Sequence, residues 1–348
     1  MIPEDKIKEI RKLLHDSEKP LFFFDDDTDG LCSYLLLKKY IDRGNGIIVK
    51  SAPTLNRSFA RKVQEYHPDR VFVLDKPGLE QEFVDDARVQ VVWIDHHPIC
   101  EIEGVHYFNP LFEDKTDNRP TTYWCYKVTN QNLWLAMVGI VGDWFIPEFM
   151  DEFMKKYPDL ISEAKDPGQV LFETEFGKLV RILNFMLKGK ISDVKKSISV
   201  LEKIETPYEI LNQETPKGKF LYKNYEKINK TYLKLYKEAI KAGEGKDYLF
   251  FTYPISKISL SGDLANELLH NFPNKVILIG REKENEVVIS MRGAKYDLPK
   301  MVSEALNGLE GYGGGHKHAV GGCISKKDFN VFTSRLKKLI KRLWDIIV

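Results

Sequence analysis

Four short apolar runs near the start of the chain constrain the fold more than any other feature. They cover residues 21–24, 47–49, 71–74 and 89–94, and apolar residues at helical spacing fill the intervals between them. Strands that are apolar at nearly every position are buried on both faces, which is typical of parallel sheets covered by helices. The pattern therefore predicts an α/β domain built from βαβ units.

The rest of the chain divides into a helical part and a second mixed part. Helical spacing is found over 133–144, 170–187, 194–204 and 208–240. A glycine- and charge-rich linker follows at 241–246, and strand-like runs return beyond it. We therefore predict an α/β domain over 1–160, a helical connector over 161–245 and a smaller α/β domain over 246–348.

Composition excludes several classes of protein. The 348 residues include 52 basic and 51 acidic side chains, so the net charge of +1 gives no sign of a globally basic nucleic-acid-binding surface. The four cysteines are scattered without metal-binding spacing, and no apolar run approaches the roughly 20 residues of a membrane span. No signal-like segment opens the sequence, so we expect a cytoplasmic protein with no membrane partner.

Three aspartates alternate directly after the first apolar run. Asp25, Asp27 and Asp29 follow Phe24, and Gly30 comes next. Side chains on an extended segment repeat their direction every two residues, so the three carboxylates are expected to point to one side. Carboxylates this close repel one another strongly unless a cation lies among them. A solvated acidic turn that caps the following helix is the alternative explanation.

Three further polar sites follow apolar stretches. Asp75 ends the third run, Asp95, His96 and His97 end the fourth, and Asp143 ends the most apolar stretch of the chain. A carboxylate such as Asp95 can orient a neighbouring imidazole through a hydrogen bond. A buried carboxylate needs a partner, which is either a metal ion or a basic side chain. Plainer explanations remain open for each site, namely a helix cap, a surface turn and a structural ion pair.

Taken together, these sites favour a metal centre. The carboxyl ends of parallel strands share one edge of the sheet, where ligands bind in open α/β folds. Carboxylates with an imidazole suit Mn²⁺ or Mg²⁺ better than zinc. Five aspartates and one histidine exceed the needs of one ion, which fits two ions with a bridging carboxylate, as in phosphoester hydrolysis.

A second group of polar residues lies near the end of the chain. Three consecutive glycines let a backbone approach an anion closely, and neighbouring histidines add hydrogen-bond donors. An arginine after another predicted strand can bind a phosphate with two hydrogen bonds. A flexible hairpin and a surface ion pair are the alternatives. The predicted substrate-binding residues are Arg292, Gly313, Gly314, Gly315, His316 and His318.

The order of these motifs resembles that of the DHH phosphoesterase superfamily. The Asp-x-Asp-x-Asp-Gly element at 25–30, the strand-end Asp75, Asp-His-His at 95–97 and Gly-Asp at 142–143 are similar to its four ordered motifs. The segment 313–322 resembles the glycine-rich signature of the associated C-terminal domain. The first motif is closer to that of RecJ-like nucleases than to that of the nanoRNase branch, and the chain as a whole resembles their short, archaeal-type form. Many archaeal members begin this motif with a histidine, where this chain has Asp25.

The resemblance implies a role for each residue of the metal site. The implied ligands of two Mn²⁺ or Mg²⁺ ions are Asp25, Asp27, Asp29, Asp75, His96 and Asp143. Asp25 and Asp27 would hold one ion and Asp29 the other, and His96 and Asp143 would complete the shell of the second. Asp75 would bridge both ions, and His97 would face the scissile phosphate. The implied catalytic residues are His97, Asp27 and Asp75.

The resemblance also implies a function, with the active site in the cleft between the two α/β domains. We expect a RecJ-like exonuclease, active in DNA repair, that hydrolyses single-stranded DNA or RNA to 5′-mononucleotides. A nanoRNase-like or cyclic-dinucleotide phosphodiesterase is the alternative that near-neutral charge favours. A non-catalytic scaffold in a replication or repair complex is disfavoured by the intact ligand set. The expected partners are single-stranded nucleic acid or short oligonucleotides, together with replication or repair proteins.

Overall fold

The chain forms two compact units, Met1–Lys223 and Asn224–Val348, and each contains a five-stranded sheet. The computed structural model describes residues 1–50, 52–255 and 258–347. The predicted fold class, an α/β domain with a parallel sheet followed by a smaller mixed domain, is confirmed.

The main sheet of the first unit is entirely parallel. The strands of this unit are β1 (Pro20–Asp25), β2 (Asn45–Val49), β3 (Thr54–Leu55), β4 (Arg70–Leu74), β5 (Gly78–Leu79), β6 (Gln90–Ile94) and β7 (Val105–Phe108). Five of them align in the order β2-β1-β4-β6-β7, while β3 and β5 pair with each other. The central strands are buried along most of their length, as their apolar runs predict.

The first unit also contains a series of α-helices. They are α1 (Glu4–His15), α2 (Thr28–Ile41), α3 (Ala60–Tyr66), α4 (Gln81–Ala87), α5 (Thr121–Thr129), α6 (Leu133–Gly142), α7 (Met150–Lys156), α8 (Pro167–Glu173), α9 (Glu175–Met186), α10 (Ile191–Leu201) and α11 (Pro207–Leu211). Helices α3 and α4 contribute Val63 and Phe83 to a core that also contains Phe23, Val73 and Trp93 of the sheet. Helix α2 packs against both α5 and α6, and α6 is buried all round.

The helical spacing over 208–240 corresponds to two helices. The first, α11, ends at Leu211, and α12 (Pro216–Ala242) then runs from the first unit into the second. Gln213 has a left-handed backbone with φ of 55° between them. Pro216 begins α12, because proline lacks the N–H that an interior helical position must donate.

The second unit has a mixed sheet covered by helices. Its strands are β8 (Tyr248–Tyr253), β9 (Val276–Glu282), β10 (Glu286–Arg292), β11 (Gly311–His316) and β12 (Ala319–Ser325). They align in the order β11-β12-β10-β9-β8, with β8 parallel to β9 and the other pairs antiparallel. Its further helices are α13 (Ser261–Asn271), α14 (Leu298–Leu306) and α15 (Phe329–Ile347). Leu278, Ile289, Leu298, Val302 and Phe332 form part of the core of this unit.

Helix length and hydropathy bear on membrane association. Within the described ranges, no helix is both long and apolar enough to cross a bilayer.

The four cysteines are free thiols, and Cys32, Cys125 and Cys323 are buried.

Candidate metal centre

Three neighbouring strands end side by side at the edge of the main sheet. The pairing aligns Phe24 with Leu74 and Leu74 with Ile94, so β1, β4 and β6 finish in one row. Asp25 closes β1, and Asp75 directly follows β4. The carboxylates predicted at strand ends are therefore neighbours, at the edge where open α/β sheets bind ligands.

The three alternating aspartates at the end of β1 do not lie on one extended strand. The strand ends at Asp25 and α2 begins at Thr28, so Asp29 lies in the first turn of a helix and the alternation predicted for these side chains is wrong. The Asp27 carboxylate accepts a hydrogen bond of 2.9 Å from the Gly30 amide and caps α2. Gly30 is required here because a Cβ would lie 2.6 Å from the backbone nitrogen of Asp25.

Asp29 is held by the beginning of a second helix. Its two carboxylate oxygens accept backbone hydrogen bonds from Thr121 (2.8 Å) and Thr122 (2.6 Å), the first residues of α5. The N-terminal end of a helix carries partial positive charge, which stabilises a buried carboxylate. Asp29 is only 1% exposed, so these contacts fix its position within the cluster.

Helix α6 delivers Asp143 to the same place. Asp143 follows Gly142 at the C-terminal end of this apolar helix. A Cβ at Gly142 would lie 2.2 Å from the Thr28 hydroxyl, so glycine allows α6 to pack closely on the start of α2. This close packing places the Asp143 carboxylate beside His96.

His96 lies at the centre of the cluster. Its Nε2 atom is 3.5 Å from Asp75 Oδ1, 3.7 Å from Asp143 Oδ2 and 3.9 Å from Asp29 Oδ2. Burial is the main influence on its pKa, which lies below the ordinary value. The imidazole is therefore neutral near pH 7 and offers a lone pair to a cation. One nitrogen atom thus lies within 4 Å of oxygens from three separate carboxylates.

His97 has a different environment from its neighbour. Its Nδ1 is 2.8 Å from Asp95 Oδ1, and its backbone amide donates a 3.0 Å hydrogen bond to Asp95 Oδ2. Burial lowers the pKa of His97, but the hydrogen bond and charge of Asp95, with the charges of Asp29 and Asp27, raise it overall. The orienting role predicted for Asp95 thus applies to His97.

Burial and like charge raise the pKa values of three carboxyl groups in the cluster. The pKa of Asp27 rises to about 6 through burial and the charges of Asp29 and Asp25. The pKa of Asp143 rises to about 9 through burial and the charges of Asp29 and Asp27. The same causes hold the pKa of Asp75 well above its ordinary value. A cation among these groups would favour their ionised forms.

The donor set fits a divalent metal ion. In the part of the chain that the structure describes, two sets of residues have ligand atoms that all lie within 4.8 Å of one another. They are Asp29, His96 and Asp143, and Asp75, His96 and His97. Carboxylate oxygens with imidazole nitrogen suit Mn²⁺ or Mg²⁺. The ligand roles of the individual residues stay predictions.

Asp25 forms an ion pair with a lysine. Its Oδ1 lies 2.9 Å from Lys76 Nζ, the ammonium group of the residue that follows Asp75. Lys76, Thr121 and Thr122 contact the acidic residues but were not predicted as site residues. A lysine after a strand-end aspartate is typical of an exposed turn, and the two threonines carry no sequence signal for this contact.

The predicted substrate-binding residues all lie in the second unit. Gly313, Gly314, Gly315 and His316 belong to the edge strand β11, in which every residue is exposed. The guanidinium of Arg292 donates a 2.6 Å hydrogen bond to Asn266 Oδ1, and His318 Nδ1 lies 3.1 Å from the Gly293 carbonyl. Strand pairing aligns Arg292 with Ala319 and Ala319 with His316, so the histidines and the arginine share one end of this sheet.

Replacing Asp143 with asparagine is expected to stabilise the metal-free protein. The folded-state pKa of about 9 exceeds the ordinary 3.8, so the aspartate costs stability progressively as the pH rises from about 4 to about 9. Asparagine removes this cost. About a third of the side chain is exposed, so solvent screening limits the gain at pH 8 to on the order of 1 kcal/mol.

Thermal unfolding in EDTA at pH 5 and pH 8 measures this effect. The advantage of Asp143→Asn over the wild type should be larger at pH 8. In Mn²⁺ the order should reverse, because a metal ion that binds only the folded state stabilises it and the variant lacks one of the predicted metal ligands. An advantage that shrinks as the pH rises would contradict the electrostatic assignment.

Comparisons with known proteins agree with the fold and the motifs. Residues 258–347 match the DHHA1 domain. RecJ from Thermus thermophilus in complex with Mn²⁺ aligns with a TM-score of 0.67 at 13% identity, covering 98% of this chain and 56% of that one. Exonuclease RecJ bound to manganese aligns with a TM-score of 0.63 at 14% identity, covering 98% and 95%. This chain thus spans little more than half of the Thermus protein.

A third solved structure has the same fold, whereas sequence comparison with curated proteins finds no match. The DHH domain of a member of a ribosomal-protein family aligns with a TM-score of 0.61 at 16% identity, covering 97% of this chain and 91% of that one. The DHHA1 match covers residues 258–347, and the fold of the chain is similar to that of the RecJ and DHH-domain structures.

Proposed function

We propose that this chain is a divalent-metal-dependent phosphodiesterase, and specifically an exonuclease that hydrolyses single-stranded DNA or RNA to 5′-mononucleotides. The observation that carries the proposal is the convergence of Asp29, Asp75 and Asp143 on one nitrogen of His96. A mainly oxygen-donating pocket with one imidazole, at the carboxyl edge of a parallel sheet, suits a divalent ion in phosphoester hydrolysis. The resemblance in fold to RecJ structures solved with Mn²⁺ supports the same assignment.

Some residues of the cluster would bind the metal ion, and others would contact the substrate. Asp29, Asp75, Asp143 and His96 would hold the ion, which when bound lowers the pKa of a water and stabilises charge on phosphoryl oxygens. His97, oriented by Asp95, would contact the substrate phosphate. Its raised pKa favours the imidazolium, whose positive charge attracts a phosphodiester.

The proposal extends to the second unit, whose polar residues would bind the nucleic-acid strand. Arg292, His316 and His318 share one end of the sheet, and cationic or donor side chains at such an end suit phosphate oxygens. The likeness in fold to a RecJ structure described as an exonuclease supports a nucleic-acid substrate. The position of the active site between the two domains stays a prediction.

The experiment that tests this function uses end-labelled ladders. The full chain is incubated with Mn²⁺ and with DNA or RNA from the dinucleotide to about 40 nucleotides, labelled at either end. Stepwise release of 5′-mononucleotides from single strands supports the proposal. Cleavage confined to dinucleotides, trinucleotides or cyclic dinucleotides would make the chain a short-oligonucleotide phosphodiesterase instead. Bound Mn²⁺ without hydrolysis of any substrate would point to a scaffold.

Gly314→Val is expected to weaken oligonucleotide binding without disturbing the fold. Nothing lies within 4 Å of a Cβ at Gly314, and the residue is on an exposed strand, so valine fits. If the strand binds the nucleic-acid backbone, the added side chain blocks close approach. We expect KM for oligonucleotides to rise about tenfold, or about 1.4 kcal/mol.

A small substrate is the internal control for this variant. Turnover of bis-p-nitrophenyl phosphate, which is too small to need the second unit, should stay near the wild-type rate. Equal loss on both substrates, with unchanged circular dichroism, would mean that the glycine strand serves the metal centre rather than substrate binding.

A further inference from the structure

Lys76 is a buried cation beside the metal centre. It has no solvent exposure as a residue and is among the largest fully buried side chains of the described chain. Its Nζ donates hydrogen bonds to Asp25 Oδ1 at 2.9 Å and to the Ala52 carbonyl at 2.7 Å. Its own carbonyl accepts a hydrogen bond from the Trp93 indole. Backbone and side chain are both anchored, so the ammonium is a fixed part of the site.

The ammonium of Lys76 occupies one oxygen of the carboxylate that opens the acidic motif. Asp25 Oδ1 accepts hydrogen bonds from both Lys76 Nζ and the Asp26 amide, the latter at 2.8 Å. Asp25, like Asp27, is absent from both sets of described residues whose ligand atoms lie close enough to bind one ion, but only Asp25 pairs with a lysine. The negative charge of Asp25 still acts on Asp27, so the ion pair adjoins the cluster rather than standing apart from it.

The remaining ligands point to one centre rather than two. Both candidate sets contain His96, and its Nε2 is the atom on which the oxygens of Asp29, Asp75 and Asp143 converge. A single lone pair binds a single ion. A second divalent ion bound to Asp25 Oδ1 would lie about 5 Å or less from the ammonium, given a metal–oxygen bond of about 2.1 Å. Two like charges at that distance repel strongly in a buried site.

We propose that the Lys76 ammonium takes the place of a second metal ion, so that the chain binds one divalent ion and supplies the other positive charge itself. This inference rests on the metal site of the proposed function and departs from the two-ion expectation of the sequence. Asp25 is then the partner of a lysine rather than a metal ligand. Unlike a second ion, the lysine charge cannot be removed by chelation or dilution.

Metal stoichiometry tests the proposal directly. The full chain is saturated with Mn²⁺ and freed of excess metal. Bound manganese is then measured by mass spectrometry, and the electron paramagnetic resonance spectrum of the bound Mn²⁺ is recorded. We expect one Mn²⁺ per chain with the six-line spectrum of an isolated ion. Two ions per chain, or the spectrum of a coupled pair, would overturn the proposal.

Substitutions separate the roles of the two partners. Asp25→Asn keeps the side-chain shape and should retain one ion, whereas loss of bound manganese in this variant would make Asp25 a ligand and overturn the proposal. Lys76→Met should double the stoichiometry, because it frees Asp25 and removes the competing charge. A Lys76→Met variant that folds and still binds one ion would also overturn it. If the Lys76→Met variant does not fold, the manganese content of Asp25→Asn and the electron paramagnetic resonance spectrum of the wild type test the proposal without it.

A matched control uses another lysine of the same unit. Lys50 is partly buried and donates to the Leu187 carbonyl at 2.7 Å, so Lys50→Met removes a comparable side chain and should leave the stoichiometry unchanged. A doubling in this control would overturn the specific role of Lys76. The activity assay tests the proposed function separately. One bound ion without hydrolysis would support the role of Lys76 and contradict the proposed function. Hydrolysis with two bound ions would support the function and contradict the role of Lys76.

Discussion

Asp75→Asn should lower phosphodiester hydrolysis by about a thousandfold or more, with loss of bound Mn²⁺. Asp75 Oδ1 is the carboxylate oxygen closest to His96 Nε2, and it also lies 3.9 Å from His97 Nδ1. Losing this oxygen would remove a central ligand of the proposed metal site, and several kcal/mol of transition-state stabilisation correspond to such a rate loss. Chelation of the wild type should abolish activity in the same way, and added Mn²⁺ should restore it.

The choice of asparagine follows from the backbone. Asp75 has a φ of 56°, a left-handed conformation that asparagine tolerates better than alanine does. Asp42 also has a left-handed backbone, with φ of 51°, but it caps the exposed end of α2 away from the cluster. Asp42→Asn is therefore the matched control and should keep full activity and metal. Near-normal turnover by Asp75→Asn, or by metal-stripped wild type, would contradict the metal-dependent mechanism.

Substitutions of the two adjacent histidines, His96 and His97, should have different effects on metal binding and on the rate of hydrolysis. His96→Ala should lose most bound Mn²⁺, because Nε2 is the atom on which three carboxylates converge. His97→Ala should keep the metal and lower kcat about 10²- to 10⁴-fold, since its ring is held by Asp95 and would act on the substrate. Bound manganese and steady-state rates, measured on the same samples, give the comparison.

Two further variants sharpen this test. Asp95→Asn should reproduce part of the His97→Ala defect, because it weakens the hydrogen bond that orients the ring. His106→Ala is the control, since His106 lies on β7 and contacts Gln90 and Glu9 instead of the cluster. Equal metal loss in the His96 and His97 variants would show that both histidines are ligands and that the division of roles is wrong.

The sequence predicts the parallel sheet well where burial dominates. Strands such as β1 and β4 are continuously apolar because both faces are covered, and their ends locate Asp25 and Asp75 at one edge. The edge strand β7 was not predicted, because its half-exposed residues include His106 and Tyr107 and do not form an apolar run. The break before Pro216 was missed because helical spacing continues across it, although proline itself carries the signal.

The contacts within the site are less predictable than its location. Spacing indicates which carboxylates follow strands, but the hydrogen bonds of Asp29 to Thr121 and Thr122 join segments more than 90 residues apart. The pairing of Lys76 with Asp25 likewise depends on the tertiary alignment of β1 with β4. The glycine-rich sequence did not predict a strand at 313–315, but pairing with β12 places these residues in the first strand of a hairpin.

The exposed edge strand β11 also bears on how the protein behaves in concentrated solution. An unpaired sheet edge invites strands of other molecules, and self-association often begins there. Glycine has low strand propensity and provides no side chain for a neighbouring sheet to pack against, so the glycines of β11 make this edge a poor template. Replacing several of them with strand-forming residues should therefore promote aggregation, even where the folded monomer has room for the new side chains.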